Sequence, residues 1–182
     1  LRSAFVRQGL DPAIQTSRLI LRPHATEDFV HSLSLWSDPD VTRFIGGRPA
    51  TEEDVWARVL RYIGHWHALG FGYWAIFERS SGRFVGETGF ADFHRNIDPP
   101  LEGMPEMGWA LAPWAHGSGF ASEAVLAALA WGDRVFTAPA CCIISPENAP
   151  SLRIAAKAEF KQVASTRYHD APTLVFRRET PQ

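Results

Sequence analysis

Cysteine is scarce in this chain: there are two among 182 residues, and the two, Cys141 and Cys142, are adjacent. They stand in a run that reads as a strand, where successive side chains point to opposite faces and cannot readily bridge. A disulfide framework is thereby excluded, and a reducing, cytoplasmic setting is expected. Without a His or Cys pair at ligand spacing they make no metal site either. Charge of one sign is also lacking. The formal net charge is −2 with no run of Lys or Arg, which argues against nucleic acid as a main partner. No apolar run reaches the length of a membrane span, and the first residues lack the charged-then-apolar pattern of a signal peptide, so no membrane partner is expected.

What the chain has is core-forming material. An apolar fraction of 46% with seven Trp and twelve Phe fits one α/β or α+β domain with a sizeable core. Residues 1–16, with scattered apolar positions around Gly9 and Pro12, read as an irregular arm, and residues 17–180 as the domain.

Ser17 to Pro23 alternates as a first strand, with Leu19 and Leu21 on one face. Thr26, followed by Glu27, Asp28 and an apolar series, predicts an N-capped helix ending near Ser37-Asp38-Pro39. Val41 to Ile45 reads as a short extended piece. Thr51, with Asp54 three residues on, predicts a capping box opening a helix that buries Val55, Val59, Tyr62, Ile63 and Trp66 and closes at Gly70. Two aromatic, β-branched runs flanking Ser80-Ser81-Gly82 predict a hairpin. After a loop with Pro99 and Pro100, a strand from about Met104 returns beside it. Phe120 to Phe136 reads as a helix with a small-residue face. Ala140 to Ser145 reads as a strand parallel to the one at 105–111. A last helix from Ser151 and two terminal strands complete the order β α α β β β α β α β β.

The centre of this pattern is Pro105 to Val125: a short apolar strand, a glycine turn and a helix start. Such a turn offers unpaired N–H groups at the positive end of a helix dipole, a seat for a phosphate. Gly117-Ser118-Gly119 lacks the Gly-Lys-Ser/Thr ending of a P-loop. A dinucleotide fingerprint would need a glycine where Ser122 stands and no preceding antiparallel meander.

Trp114-Ala115-His116-Gly117-Ser118-Gly119-Phe120-Ala121-Ser122-Glu123-Ala124 resembles the pyrophosphate-binding motif of the GNAT superfamily of N-acetyltransferases. Within that superfamily it is similar to the branch that includes acetyltransferases of ribosomal-protein N-termini. Ser17 to Arg22, Asp38 to Val41, Gly86 to Phe90 and Asn148-Ala149-Pro150-Ser151 match further segments of that branch in order, so the resemblance covers about residues 16–179.

The resemblance implies a three-layer α+β fold, with a mixed, mostly antiparallel sheet of about seven strands splayed between the fourth and fifth, and about four helices. It implies acetyl-CoA as co-substrate, no metal, and a small-molecule or peptide amine as acceptor, and it is compatible with a homodimer. Backbone amides of Gly117, Ser118, Gly119, Phe120 and Ala121 would hold the pyrophosphate, with His116 adding a donor or standing exposed. Amides of Trp109, Ala110 and Leu111, freed at the splay, would bind the thioester carbonyl. Glu106 is the candidate general base and Ser151 the candidate acid, because Phe160 stands where many relatives carry a tyrosine. Asn148 would bond cofactor or strand backbone, though Asn148 and Ser151 equally suit a helix cap. Trp36, Trp66, Trp74, Phe90 and His94 are acceptor-side candidates, though residues at such spacing more often belong to the core. The same features admit a non-catalytic acyl-CoA-binding or regulatory domain.

Overall fold

The computed structural model describes residues 12–180, so residues 1–11 of the expected arm lie outside the described residues. Eight strands form one sheet: β1 (Ile14–Gln15), β2 (Leu19–Pro23), β3 (Tyr73–Glu78), β4 (Phe84–Ala91), β5 (Glu106–Leu111), β6 (Ala140–Ile144), β7 (Lys161–Tyr168) and β8 (Ala171–Arg178). Their spatial order is β1-β2-β3-β4-β5-β6-β8-β7. Every neighbouring pair is antiparallel except β5 and β6. The eighth strand is the addition to the seven expected: Ile14 and Gln15 of the arm pair with Leu21 and Ile20.

Five helices flank the sheet: α1 (Phe29–Trp36), α2 (Pro39–Thr42), α3 (Glu52–Leu69), α4 (Phe120–Val135) and α5 (Ala149–Lys157). α2 replaces the extended piece expected at 41–45. The Asp38 side chain accepts from the Asp40 amide and Pro39 sits in the first turn, so the Ser-Asp-Pro signal that ends α1 also starts a new helix. Thr26 is not the cap of α1. It begins a 3-10 turn over Thr26–Asp28, in which the Asp28 carboxylate accepts from the Ala25 amide at 2.8 Å and pairs with Arg22 at 2.7 Å. α3 has the expected Thr51–Asp54 capping box and ends at Gly70, whose φ is 78°.

Side-chain alternation divides the molecule into layers. Leu19, Leu21, Trp74, Ile76, Val85, Phe90, Met107 and Leu111 pack with Ala124, Val125, Ala128 and Trp131 of α4 and Ala155 of α5. The small residues of α4 let it lie close to the sheet, as its sequence implies. Ala75, Phe84 and Ala110 turn the other way and pack with Leu35, Trp36, Val41, Val55 and Val59 from α1, α2 and α3. Cys141 and Cys142 are buried and free and belong to separate apolar clusters, as opposite faces of one strand require. No helix among the described residues is long and apolar enough to cross a membrane.

The feature that positions the site is the parting of β5 and β6. β4 and β5 pair along six residues, from Gly86 with Leu111 to Ala91 with Glu106. β5 and β6 share the single register pair Glu106 with Cys141, beside the bond from the Cys141 amide to the Pro105 carbonyl. Beyond it the two strands diverge, so β5 has a free edge between its paired start and the glycine turn.

Candidate active site

The ladder fixes which β5 amides face the opening. Ala112 donates its N–H to the Val85 carbonyl on β4. In an antiparallel ladder alternate residues point the same way, so Ala110 and Gly108 also face β4. Met107, Trp109 and Leu111 therefore point toward the parted side. Trp109 and Leu111 keep their expected place there. The Ala110 amide does not, because the ladder with β4 consumes it.

The turn after β5 is reinforced from within. His116 bonds the Leu111 carbonyl through Nε2 at 2.9 Å, and the Ser118 hydroxyl donates to the Ala115 carbonyl at 2.6 Å. His116 is exposed, with this nitrogen occupied. Gly117 and Gly119 have φ of 74° and 84°, the left-handed region that side chains with a Cβ rarely enter. Gly119 is the cap residue of α4 and has no side chain with which to bond the first helical amides. The N–H groups of Phe120 and Ala121 are left for another acceptor. The Phe120 side chain is buried and fixes the helix start to the core.

A tie not evident in the sequence holds this turn to the arm. Glu123, in the first turn of α4, accepts from the Thr16 hydroxyl at 2.6 Å, the Ser17 hydroxyl at 3.2 Å and the Arg18 backbone amide at 3.0 Å. Its other oxygen takes the Arg18 guanidinium at 2.7 Å. Arg18 also donates to the Ser118 carbonyl at 2.9 Å and lies over the Phe120 ring. Desolvation pushes the Glu123 carboxyl up, but the hydrogen bonds from Thr16, Arg18 and Ser17 outweigh it and hold the group below its ordinary value.

On the other arm of the opening, Asn148 caps α5 by accepting the Ser151 amide at 3.2 Å, the capping role that suited it from the outset. The Ser151 hydroxyl accepts from the Trp109 indole N–H at 3.2 Å. Trp109 and Ser151 thus meet across the gap between β5 and α5, and among the described residues the serine's own proton has no acceptor. Phe160 is 5% exposed and packs in the main core, so nothing in its place can donate a proton.

Glu106 lies at the closed end of the opening, on the α3 face of the sheet. It is nearly buried, 6% exposed, and is not a free acid: Arg95 donates Nε to one oxygen at 2.6 Å and Nη2 to the other at 2.8 Å. Arg95 also donates to the Tyr168 hydroxyl at 3.2 Å and stacks on Phe93. Above β5 on this face, Tyr73 stacks on Tyr62 with ring centroids 4.4 Å apart. The Tyr73 hydroxyl lies so close to Gly108 that a Cβ there would collide with it, which is why that strand position is glycine. Burial pushes both tyrosine hydroxyls well above their ordinary value, so both are neutral donors. Glu87, fully buried, accepts from the Ser32 hydroxyl at 2.6 Å and the Trp36 indole at 2.9 Å.

Of the aromatic acceptor-side candidates, Trp66, Trp74 and Phe90 pack with the α4-side core and His94 is exposed beside Asp92. Trp36 is buried in the core on the α3 side of the sheet, where its indole donates to Glu87. Arg18, Arg58, Tyr62, Tyr73 and Arg95 were not singled out as site residues from sequence, since each is an ordinary helix, strand or loop residue until the topology assembles them. Among the described residues no cluster of His, Cys, Asp and Glu forms a metal site.

A strand that parts from its parallel neighbour beside an uncapped helix start defines an acyltransferase fold of the acetyl-CoA-using kind. The family model for the GNAT acetyltransferase domain matches residues 18–161, most of the chain, and the chain belongs to that family. It is 27% identical over 151 residues to the uncharacterized N-acetyltransferase p20 of Bacillus licheniformis, covering 82% of each. A GNAT-family acetyltransferase from Bordetella pertussis superposes with a TM-score of 0.80 at 30% identity, over 92% of this chain and 99% of that one. The ribosomal L7/L12 alpha-N-protein acetyltransferase, solved with coenzyme A, superposes at 0.74 over 92% of this chain and 97% of that one. Its 17% identity makes that likeness one of fold. The chain is thus an acetyl-CoA-dependent acetyltransferase of the GNAT family.

Proposed function

We propose that this acetyltransferase moves the acetyl group to a primary amine, on a peptide or a small molecule, by direct attack of the amine on the thioester. The observation that carries this reading is the free β5 edge, with the Trp109 and Leu111 amides aimed into the opening beside the uncapped start of α4.

The residues fit acetyl-CoA. The amides of Gly117 to Ala121 suit a pyrophosphate, since the turn needs no Cβ and the helix start lacks a capping side chain. His116 contributes by closing the Leu111 carbonyl rather than by touching phosphate. Asn148 keeps its side-chain N–H groups without a partner among the described residues, in reach of the same opening. Acetyl-CoA supplies the activated acyl group, and everything else is the work of this chain.

The Trp109 and Leu111 N–H groups are placed to stabilise negative charge on the acyl oxygen as the amine adds. Ser151, oriented by the Trp109 indole, is the proton donor for the departing thiolate. A carboxylate has about four lone-pair sites, and Arg95 uses two of those on Glu106, so Glu106 keeps capacity to take the amine's proton while Arg95 anchors it.

The second reading, an acyl-CoA-binding domain without catalysis, is favoured by one observation: Phe160 is a core residue with no proton to give. Release of CoA from acetyl-CoA in the presence of a panel of primary amines separates the two. Amine-dependent release supports the transferase. Tight CoA binding with no amine acetylated supports the binding domain.

A further inference from the structure

On the α3 face of the sheet Arg58 makes no ion pair among the described residues, although the buried Glu87 carboxylate and Asp54, one turn back on α3, act on its charge. The Arg58 guanidinium lies 3.8 Å over the Trp36 ring and donates Nη1 to the Tyr62 hydroxyl at 3.2 Å. Its Nε is buried without a hydrogen-bond partner, and among the described residues Nη2 has none either. The vacant Nε and Nη2 form the edge that a carboxylate takes with two parallel bonds. The carboxylates on this face are engaged elsewhere: Glu106 by Arg95, Glu87 by Ser32 and Trp36. Arg61, one turn along α3, rests on the Phe93 ring and makes no ion pair among the described residues. Tyr62 stacks on Tyr73, whose hydroxyl lies over Gly108 in the middle of β5.

We propose that Arg58, with the Tyr73 hydroxyl, forms a subsite for an anionic group on the acceptor, so that the preferred substrate is an amine that also carries a carboxylate. The Arg58 Nε is buried without a partner, which is costly, and a ligand carboxylate at that edge satisfies it. A polyamine would bring further positive charge against Arg58 and Arg61 and leave that edge unpaired. This inference rests on the N-acetyltransferase reading above and adds the class of acceptor to it.

The test compares kcat/KM for α-amino acids, their carboxamides and spermidine, with wild type, Arg58→Met and Arg58→Lys, alongside calorimetric CoA affinity. The expected result is at least a tenfold preference for the acid over its amide. Arg58→Met should collapse that ratio toward one through KM, with Arg58→Lys restoring part of it. Tyr73→Phe, which removes one hydroxyl, provides a second variant should Arg58→Met fail to fold, and it should lower the ratio several-fold. Equal or better turnover of amides or spermidine overturns the inference. So does an unchanged ratio in all three variants, or no turnover of any carboxylate-bearing amine by protein that binds CoA. Absence of CoA binding by wild type would instead overturn the reading beneath it.

Discussion

The two sides of the opening are built from different materials. The side read as the cofactor seat is made of backbone: the amides of the 117–121 turn, the left-handed glycines and the free edge of β5. The acceptor side is made of side chains from distant elements, with Glu106 of β5, Arg95 of the loop between β4 and β5, Tyr73 of β3, and Arg58 and Tyr62 of α3 brought to one face. Backbone recognition depends on local conformation and travels as a short motif. Side-chain recognition depends on tertiary placement and leaves no local signature. The two sides should accordingly fail in different ways.

The largest effect is expected at the turn. Gly119→Val forces a β-branched residue into φ of 84° and obstructs the helix start, and should lower CoA affinity by about 100-fold or more while circular dichroism still reports a folded protein. Unchanged affinity by calorimetry would remove the phosphate seat.

Glu106→Gln is the converse. It should leave CoA affinity intact and reduce turnover by about 100-fold, within the range for loss of a general base. If Glu106 only holds Arg95, kcat is kept and KM for the amine rises instead.

Ser151→Ala should cost about tenfold in kcat, below the ~100-fold at which side-chain proton transfer usually starts, with KM for acetyl-CoA little changed because the Asn148 cap uses the backbone. Equal rates for wild type and variant would return the leaving thiolate's proton to solvent.

The smallest effect is at the arm. Because the folded Glu123 carboxyl lies below its ordinary value, its contribution to stability is complete above the ordinary carboxylate range and is lost as pH falls through the lowered value. Arg18 is about half exposed, so solvent screening keeps the gain small. Glu123→Gln should weaken CoA binding a few-fold at neutral pH and flatten the acid side of the thermal-stability profile. A profile parallel to wild type would show that the Arg18 tie does not secure the turn.

The same contrast explains what was legible in the sequence. The α3 capping box, the 73–91 hairpin, the small face of α4 and the β5-α4-β6 unit rest on periodicity and caps that act locally, and the structure keeps all of them. α2 was misread because Ser-Asp-Pro ends one helix and starts another, and only the Asp38 bond to the Asp40 amide decides between them. The strand in the arm escaped because two residues carry no period. At the site, the glycines and the parted strands follow from motif and order. The loss of the Ala110 amide to β4, the Arg95 clamp on Glu106 and the unpaired edge of Arg58 depend on ladder phase and on residues far apart in sequence.

The central claim, that coenzyme A is held by backbone on one side of the opening, is tested most directly by amide hydrogen exchange with and without coenzyme A. The account predicts new protection at residues 117–121, with Ala110 already protected in both states by its bond to β4. Protection confined to other segments, or equal exchange at 117–121 under saturating coenzyme A, would contradict it.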